Sequence, residues 1–80
     1  MTKYYYSFGQ SHTHRVRGVT LDCDSIVEVI VPDDDRGMEL ARAKMFDEFG
    51  QKWSMQYTED NIDMSFFPRG VVLTFNLVTP

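Results

Sequence analysis

An α+β fold is predicted by two changes of hydrophobic period along one short chain. Three segments, 3–8, 25–31 and 52–58, alternate apolar and polar residues, as half-buried strands do, and 71–78 does so again at the end. Between the second and third lies a single stretch of helical period, 33–50. Four strands with one apolar face each and only one helix to cover them specify a two-layer sandwich: a mainly antiparallel sheet with a single helix on one face, in the order β–hairpin–β–α–β–β. The other face of the sheet is expected to be open to water or to a partner.

The first strand, KYYYSF, places Tyr4, Tyr6 and Phe8 on one side and Lys3, Tyr5 and Ser7 on the other. SIVEVIV puts Val27, Val29 and Val31 inward and Glu28 outward, and its β-branched residues suit a pleated surface. Pro32 ends it, because proline has no amide to donate to a ladder. In the following segment Met38, Ala41, Met45 and Phe49 form a stripe with Phe46 alongside. Asp33 to Asp35 offer N-cap oxygens and negative charge at the helix's positive end, and Gly50 suits the C-terminal stop. KWSMQYT then points Trp53, Met55 and Tyr57 inward, with Lys52, Ser54 and Gln56 outward. EDNIDMSFFPRG reads as a loop, and VVLTFNLV as a strand with Val71, Leu73, Phe75 and Leu77 inward.

Eighty residues make one domain, 1–80, near the lower size at which a single core is self-sufficient. With 42% hydrophobic residues the chain is too apolar for a disordered tail, yet its core is small, so homo-oligomerisation is an expectation. A formal charge of −4 argues against direct DNA or RNA binding, which demands a basic surface. The one cysteine cannot form an internal disulfide, which excludes a disulfide-stapled scaffold. MTKYYYSFG lacks the apolar run of a signal peptide, and no segment is long enough to span a membrane. A soluble protein of the cytoplasm, with no membrane partner, is the expectation.

The chemistry-bearing residues crowd into SFGQSHTHRVRGVTLDCD, residues 7–24. RVRGVTLD can fold as a short hairpin with Arg17 and Gly18 at its tip. In that register Val16 faces Val19, His14 faces Leu21 and His12 faces Cys23. Side-chain alternation then places His12, His14 and Cys23 on one face, and Thr13, Arg15, Asp22 and Asp24 on the other. A mixed His/Asp metal site would need ligands from both faces. A His12–His14–Cys23 set is the one metal alternative, without the spacing of known zinc modules.

Asp22 and Asp24 flank Cys23 and disfavour its thiolate, which argues against a nucleophilic cysteine. Ser11 and His12 are strand neighbours pointing apart. No phosphate loop, H-E-x-x-H or G-x-S-x-G occurs, and SHTHRV does not match the His-x-Ser/Thr pair of a 2H-type phosphodiesterase. Ligand binding without catalysis or cofactor suits the stretch better. Gln10, Ser11, His12, Thr13, His14, Arg15 and Arg17 offer hydroxyls, imidazoles and guanidinium groups for a phosphate or nucleotide. Trp53 or Tyr57 would stack on a base, unless both are core residues. Phe66 and Phe67, adjacent in sequence, cannot both be buried on one face, so one of them is a candidate interface anchor.

With KYYYSFGQSHTH, ARAKMFDEFGQKW and QYTED taken together, the chain resembles a family of small bacteriophage proteins over roughly residues 3–58. That resemblance implies an accessory protein acting on a host system inside the infected bacterial cell, and carries no catalytic residues over. The leading expectation is an anti-defence protein that binds stoichiometrically and sequesters a nucleotide immune signal. The alternative is a protein-binding inhibitor of a host complex, such as an anti-CRISPR-like nucleic-acid mimic. A small metal-dependent nuclease or phosphodiesterase comes third.

Overall fold

The structure, a computed structural model, describes residues 1–9, 13–16, 18–33, 35–50 and 53–78, with the backbone alone at His14 and Val16. In chain order the elements are β1 (Thr2–Phe8), β2 (His14–Val16), β3 (Val19–Leu21), β4 (Ser25–Val31), α1 (Gly37–Phe49), β5 (Trp53–Thr58), a 3-10 turn at Met64–Phe66, and β6 (Gly70–Asn76). The expected α+β class and element order are therefore present. β2 and β3 form a small ladder of their own, while the other four strands make one sheet in the order β5-β1-β4-β6. β1 runs antiparallel to both β4 and β5, but β4 and β6 are parallel, so the sheet is mixed.

The β4 register sets Val27, Val29 and Val31 opposite Tyr6, Tyr4 and Thr2 on the face that α1 covers. All three valines, with Tyr6 and Met45, are fully buried. Rings stack edge-on through this layer: Phe8 against Phe49 at 5.4 Å between centroids, and Tyr6 against Trp53 at 5.1 Å. The buried positions of α1 are Gly37, Ala41, Met45 and Phe49, an i, i+4 series. Met38 and Phe46 lie beside that series and are exposed, against the expected stripe. Gly37 takes the first buried position because a Cβ there would meet Val31 Cγ2 at 3.1 Å and the Pro32 carbonyl at 3.2 Å.

The helix start also differs from expectation. Arg36 occupies the N-cap with no side-chain cap bond, and Leu40 donates to its carbonyl at 2.9 Å. Asp33 turns instead to the Met1 amino group at 2.7 Å and to the Thr2 hydroxyl, pinning the start of β1 to the end of β4. Those bonds hold the Asp33 carboxyl below the usual range. Asp34 lies outside the described residues. Gly50 stops the helix as expected, at φ 61° with its amide on the Phe46 carbonyl.

Two bulges reverse part of the expected facing of β5 and β6. Ser7 and Phe8 are neighbours on β1, but they pair with Met55 and Trp53, so Ser54 is an extra residue. Trp53 remains on the helix face beside Phe8, while Met55 is 53% exposed and Tyr57 joins Tyr5 on the opposite face. Gln56 turns inward and accepts from the Tyr6 hydroxyl at 3.1 Å. Burial pushes that phenol's pKa up. On β6 the step from Val71 to Leu73 against Ile26 and Val27 makes Val72 the extra residue. Val71 accordingly leaves the core face, whereas Leu73 and Phe75 stay on it.

The strand order forces one more feature. β5 and β6 sit at opposite edges and run the same way, so residues 59–69 must return across the sheet. They do so on the face away from the helix, where Phe67 packs on Tyr57 at 5.9 Å. Ile26, which points to that face, is fully buried. The outer face is thus partly covered and not open along its length. No helix among the described residues is long and apolar enough to cross a membrane.

Candidate functional site

The β2–β3 hairpin has the register expected from sequence, with His14 opposite Leu21, Arg15 opposite Thr20 and Val16 opposite Val19. Gly18, at φ 78°, supplies the left-handed residue at the tip. Gln10, Ser11, His12 and Arg17 lie outside the described residues. Thr13 and Arg15 are exposed. Leu21 is fully buried and belongs to the core, so the hairpin is docked onto the domain at its base.

β3 ends at Leu21, and residues 22–24 form the turn into β4. Cys23 therefore lies in a turn and not in the strand extension expected opposite His12, and His12 itself lies outside the described residues. Asp22 organises this turn: its carboxylate accepts from the Asp24 amide and the Ser25 hydroxyl, each at 3.0 Å, and from Arg69 at 3.0 Å. Arg69 also donates its amide to the Asp24 carbonyl at 3.1 Å, which ties the 59–69 segment to the foot of the hairpin. Arg69 and Asp22 are 47 positions apart, and no local pattern announces their pairing.

The bond from the Asp24 amide, then those from Ser25 and Arg69, hold the Asp22 carboxyl below the usual carboxylate range. A depressed folded-state pKa adds stability above the unfolded carboxylate pKa of about 4, and that stability is lost as pH falls through the folded value. Asp22→Asn should therefore lower the melting temperature at neutral pH, with the gap to wild type closing under strongly acid conditions. An equal gap at both pH values would show that the charge is not what matters.

Cys23 shares the turn. Burial, followed by the charges of Asp24 and Asp22, pushes its thiol pKa up, so the nucleophilic thiolate is disfavoured as the sequence implied. Among the described residues no group of three or more His, Cys, Asp or Glu side chains is placed to hold a metal ion.

The two aromatics expected to stack on a base are not brought together. Trp53 is on the helix face, between Tyr6 and Phe46, with the Arg42 guanidinium 5.8 Å from its ring centre. Its buried Nε1 has no partner among the described residues. Tyr57 is on the other face, against Phe67. Beside it Tyr5, Glu28 and Thr74 form a polar row across three strands, with Thr74 donating to Glu28 at 3.2 Å. Burial, then Glu28, raises the Tyr5 phenol to about 12, so it stays a neutral donor at physiological pH. An open groove of about 370 Å³ lies at the far end of the sheet from the hairpin, bounded by Thr2, Tyr4, Thr58 and Asp60.

Phe66 and Phe67 separate as their adjacency requires. Phe67 turns in to Tyr57, whereas Phe66 is 72% exposed. The turn that holds Phe66 out is tightly bonded. Asp63 accepts from the Ser65 amide at 3.0 Å and its hydroxyl at 2.6 Å, and the Phe66 and Phe67 amides donate to the carbonyls of Asp63 and Met64. Gly70, at φ 66°, closes the segment through its amide on the Phe67 carbonyl at 2.8 Å.

Fold and site together describe a small α+β scaffold carrying a polar hairpin at one end and a hydrogen-bonded turn that displays an aromatic side chain. Comparison of the chain with protein-family models, curated proteins and solved structures gave no match.

Proposed function

We propose that this protein acts by stoichiometric binding without turnover, as an anti-defence accessory protein, and that its target is a host protein. The observation that carries this reading is Phe66, a large apolar side chain held in water by a turn with five internal hydrogen bonds. Exposing a ring is unfavourable, and ordering it beforehand reduces the entropy lost on docking. That combination suits the anchor of a protein interface, where buried aromatics carry a disproportionate share of the energy. Met64, 40% exposed, widens the same apolar tip.

The test is a tagged pull-down from the bacterial host with wild type, Phe66→Ala and Phe67→Ala. Phe66→Ala should weaken capture of a specific protein by about 30-fold or more, the effect of a hot-spot truncation. Its melting temperature should stay within about 2–4 °C of wild type, because the side chain touches little of the fold. Phe67→Ala should instead cost stability. Equal capture by wild type and Phe66→Ala would overturn the assignment.

Sequestration of a nucleotide signal is the second reading, favoured by the exposed Thr13 and Arg15 on the hairpin. It predicts a thermal shift with one nucleotide that Arg15→Ala abolishes and Phe66→Ala leaves intact.

A further inference from the structure

Where α1 meets β5, hydrogen-bond donors gather without acceptors. Arg42 lies on the exposed side of the helix, with its guanidinium 5.8 Å from the centre of the Trp53 ring. A guanidinium drawn to an aromatic face keeps its N–H donors for other partners. No acid among the described residues takes them, and Glu39, one turn back on the helix, pairs instead with Arg36 at 3.5 Å. Gln56 sits opposite Tyr6 on the same face, and its Oε1 accepts from the Tyr6 hydroxyl at 3.1 Å. That bond turns the amide oxygen inward, and the two N–H donors on Nε2 meet no described partner. Burial raises the Tyr6 phenol and the charge of Arg42 acts against that rise, so the guanidinium is within electrostatic reach of the same hydroxyl. The Trp53 Nε1 is a third donor, closed to solvent and without an acceptor among the described residues.

An apolar surface adjoins these donors. Phe46, one turn beyond Arg42, is 49% exposed and meets Trp53 edge-on at 5.6 Å. Met38, one turn before Arg42, is exposed as well, so the cation stands between two apolar side chains on one helical stripe. A single exposed apolar side chain is ordinary on a protein surface. One on either side of an unpaired guanidinium fits a ligand that has the same two parts, an anionic head and an apolar body.

We infer that Arg42, Gln56, Phe46 and Trp53 form a binding site for a small aromatic carboxylate, its head on the Arg42 guanidinium and the Gln56 amide and its ring on Phe46 and Trp53. Donors without acceptors call for an anion, and the planar fork of a guanidinium matches a carboxylate through two parallel bonds. Charge limits how much of an anion the site takes. The chain carries a formal charge of −4, and Glu59 and Asp60 border the groove that begins at Thr58, two positions beyond Gln56. One negative charge is neutralised by Arg42, whereas a polyphosphate would be repelled by these acids. The inference does not depend on the Phe66 reading, since that turn lies on the other face of the sheet.

Trp53 is the only tryptophan, so its indole N–H gives a single resonance in the amide correlation spectrum and reports on the site directly. Titrating the isotope-labelled protein with phenylacetate should shift that resonance saturably. Acetate, which lacks the ring, and phenylacetamide, which lacks the charge, should each bind at least about tenfold more weakly. Arg42→Gln should weaken phenylacetate binding by about tenfold or more. Gln56→Glu keeps an acceptor for the Tyr6 hydroxyl but sets a carboxylate against Arg42, and should abolish binding. Neither substitution removes a buried apolar group, so both melting temperatures should stay within about 2–4 °C of wild type. Phenylacetate binding that survives Arg42→Gln would overturn the inference. Equal binding of phenylacetamide, or an indole resonance that none of the three probes moves, would do the same.

Discussion

Met45→Ala is expected to destabilise the fold by about 2–5 kcal/mol, while Met38→Ala, seven residues earlier on the same helix, should change it by about 0.5 kcal/mol or less. The two methionines look alike by helical spacing, but Met45 is fully buried and Met38 is 44% exposed. Truncating Met45 removes apolar contacts with the sheet and leaves a cavity whose neighbours relax only in part. For a domain of this size the melting temperature should fall by roughly 10 °C or more. Thermal and urea denaturation of both variants check this, and similar losses in the two would mean that the helix is rotated from the orientation described.

The second large effect concerns the hairpin. Leu21→Ala should also cost about 2–5 kcal/mol, although its neighbours Thr20 and Asp22 look like those of a solvated loop. Leu21 is fully buried and packs in the same cluster as Phe49 and Phe75. A small domain holds only about 5–10 kcal/mol in total, so this single truncation would remove a large part of it. Equilibrium denaturation decides the point. A near-neutral result would make β2–β3 a detached arm, and the position of Thr13 and Arg15 would no longer be defined by the core.

These two cases mark where local pattern is informative. β1 and β4 were legible residue by residue, because each pairs without a bulge with the other and alternation alone decides which side chains face the helix. The hairpin register was legible too, since a short loop with glycine in the left-handed region leaves few ways to pair the flanking residues. The facing of Met55, Tyr57 and Val71 was not. One extra residue in each edge strand inverts everything on one side of it, and bulges leave no mark in a pattern of alternating residues. The helix stripe was misread by one position at its start, because Gly37 reads as a breaker when its role is to let the backbone approach Val31.

The candidate site divides in the same way. That Phe66 and Phe67 must part was implied by their adjacency, and the acidic neighbours of Cys23 implied part of the rise in its thiol pKa, which burial raises first. Which phenylalanine faces water, and that Trp53 and Tyr57 lie on opposite sides of the sheet, depended on the third dimension.

By itself, then, the amino-acid sequence determined the class, the element order, the buried face of the central strands and the turn residues. Each of these follows from period, β-branching and backbone freedom within a few residues. Tertiary structure alone decided that β6 lies parallel to β4 at the end of the sheet, that Ile26 is buried on the face away from the helix, and that Arg69 closes onto Asp22. The physical reason is shared: the β4–β6 pairing and the Asp22–Arg69 contact join residues more than 40 positions apart, chosen by how the whole sheet closes over one small core and not by the preference of any segment for its own shape.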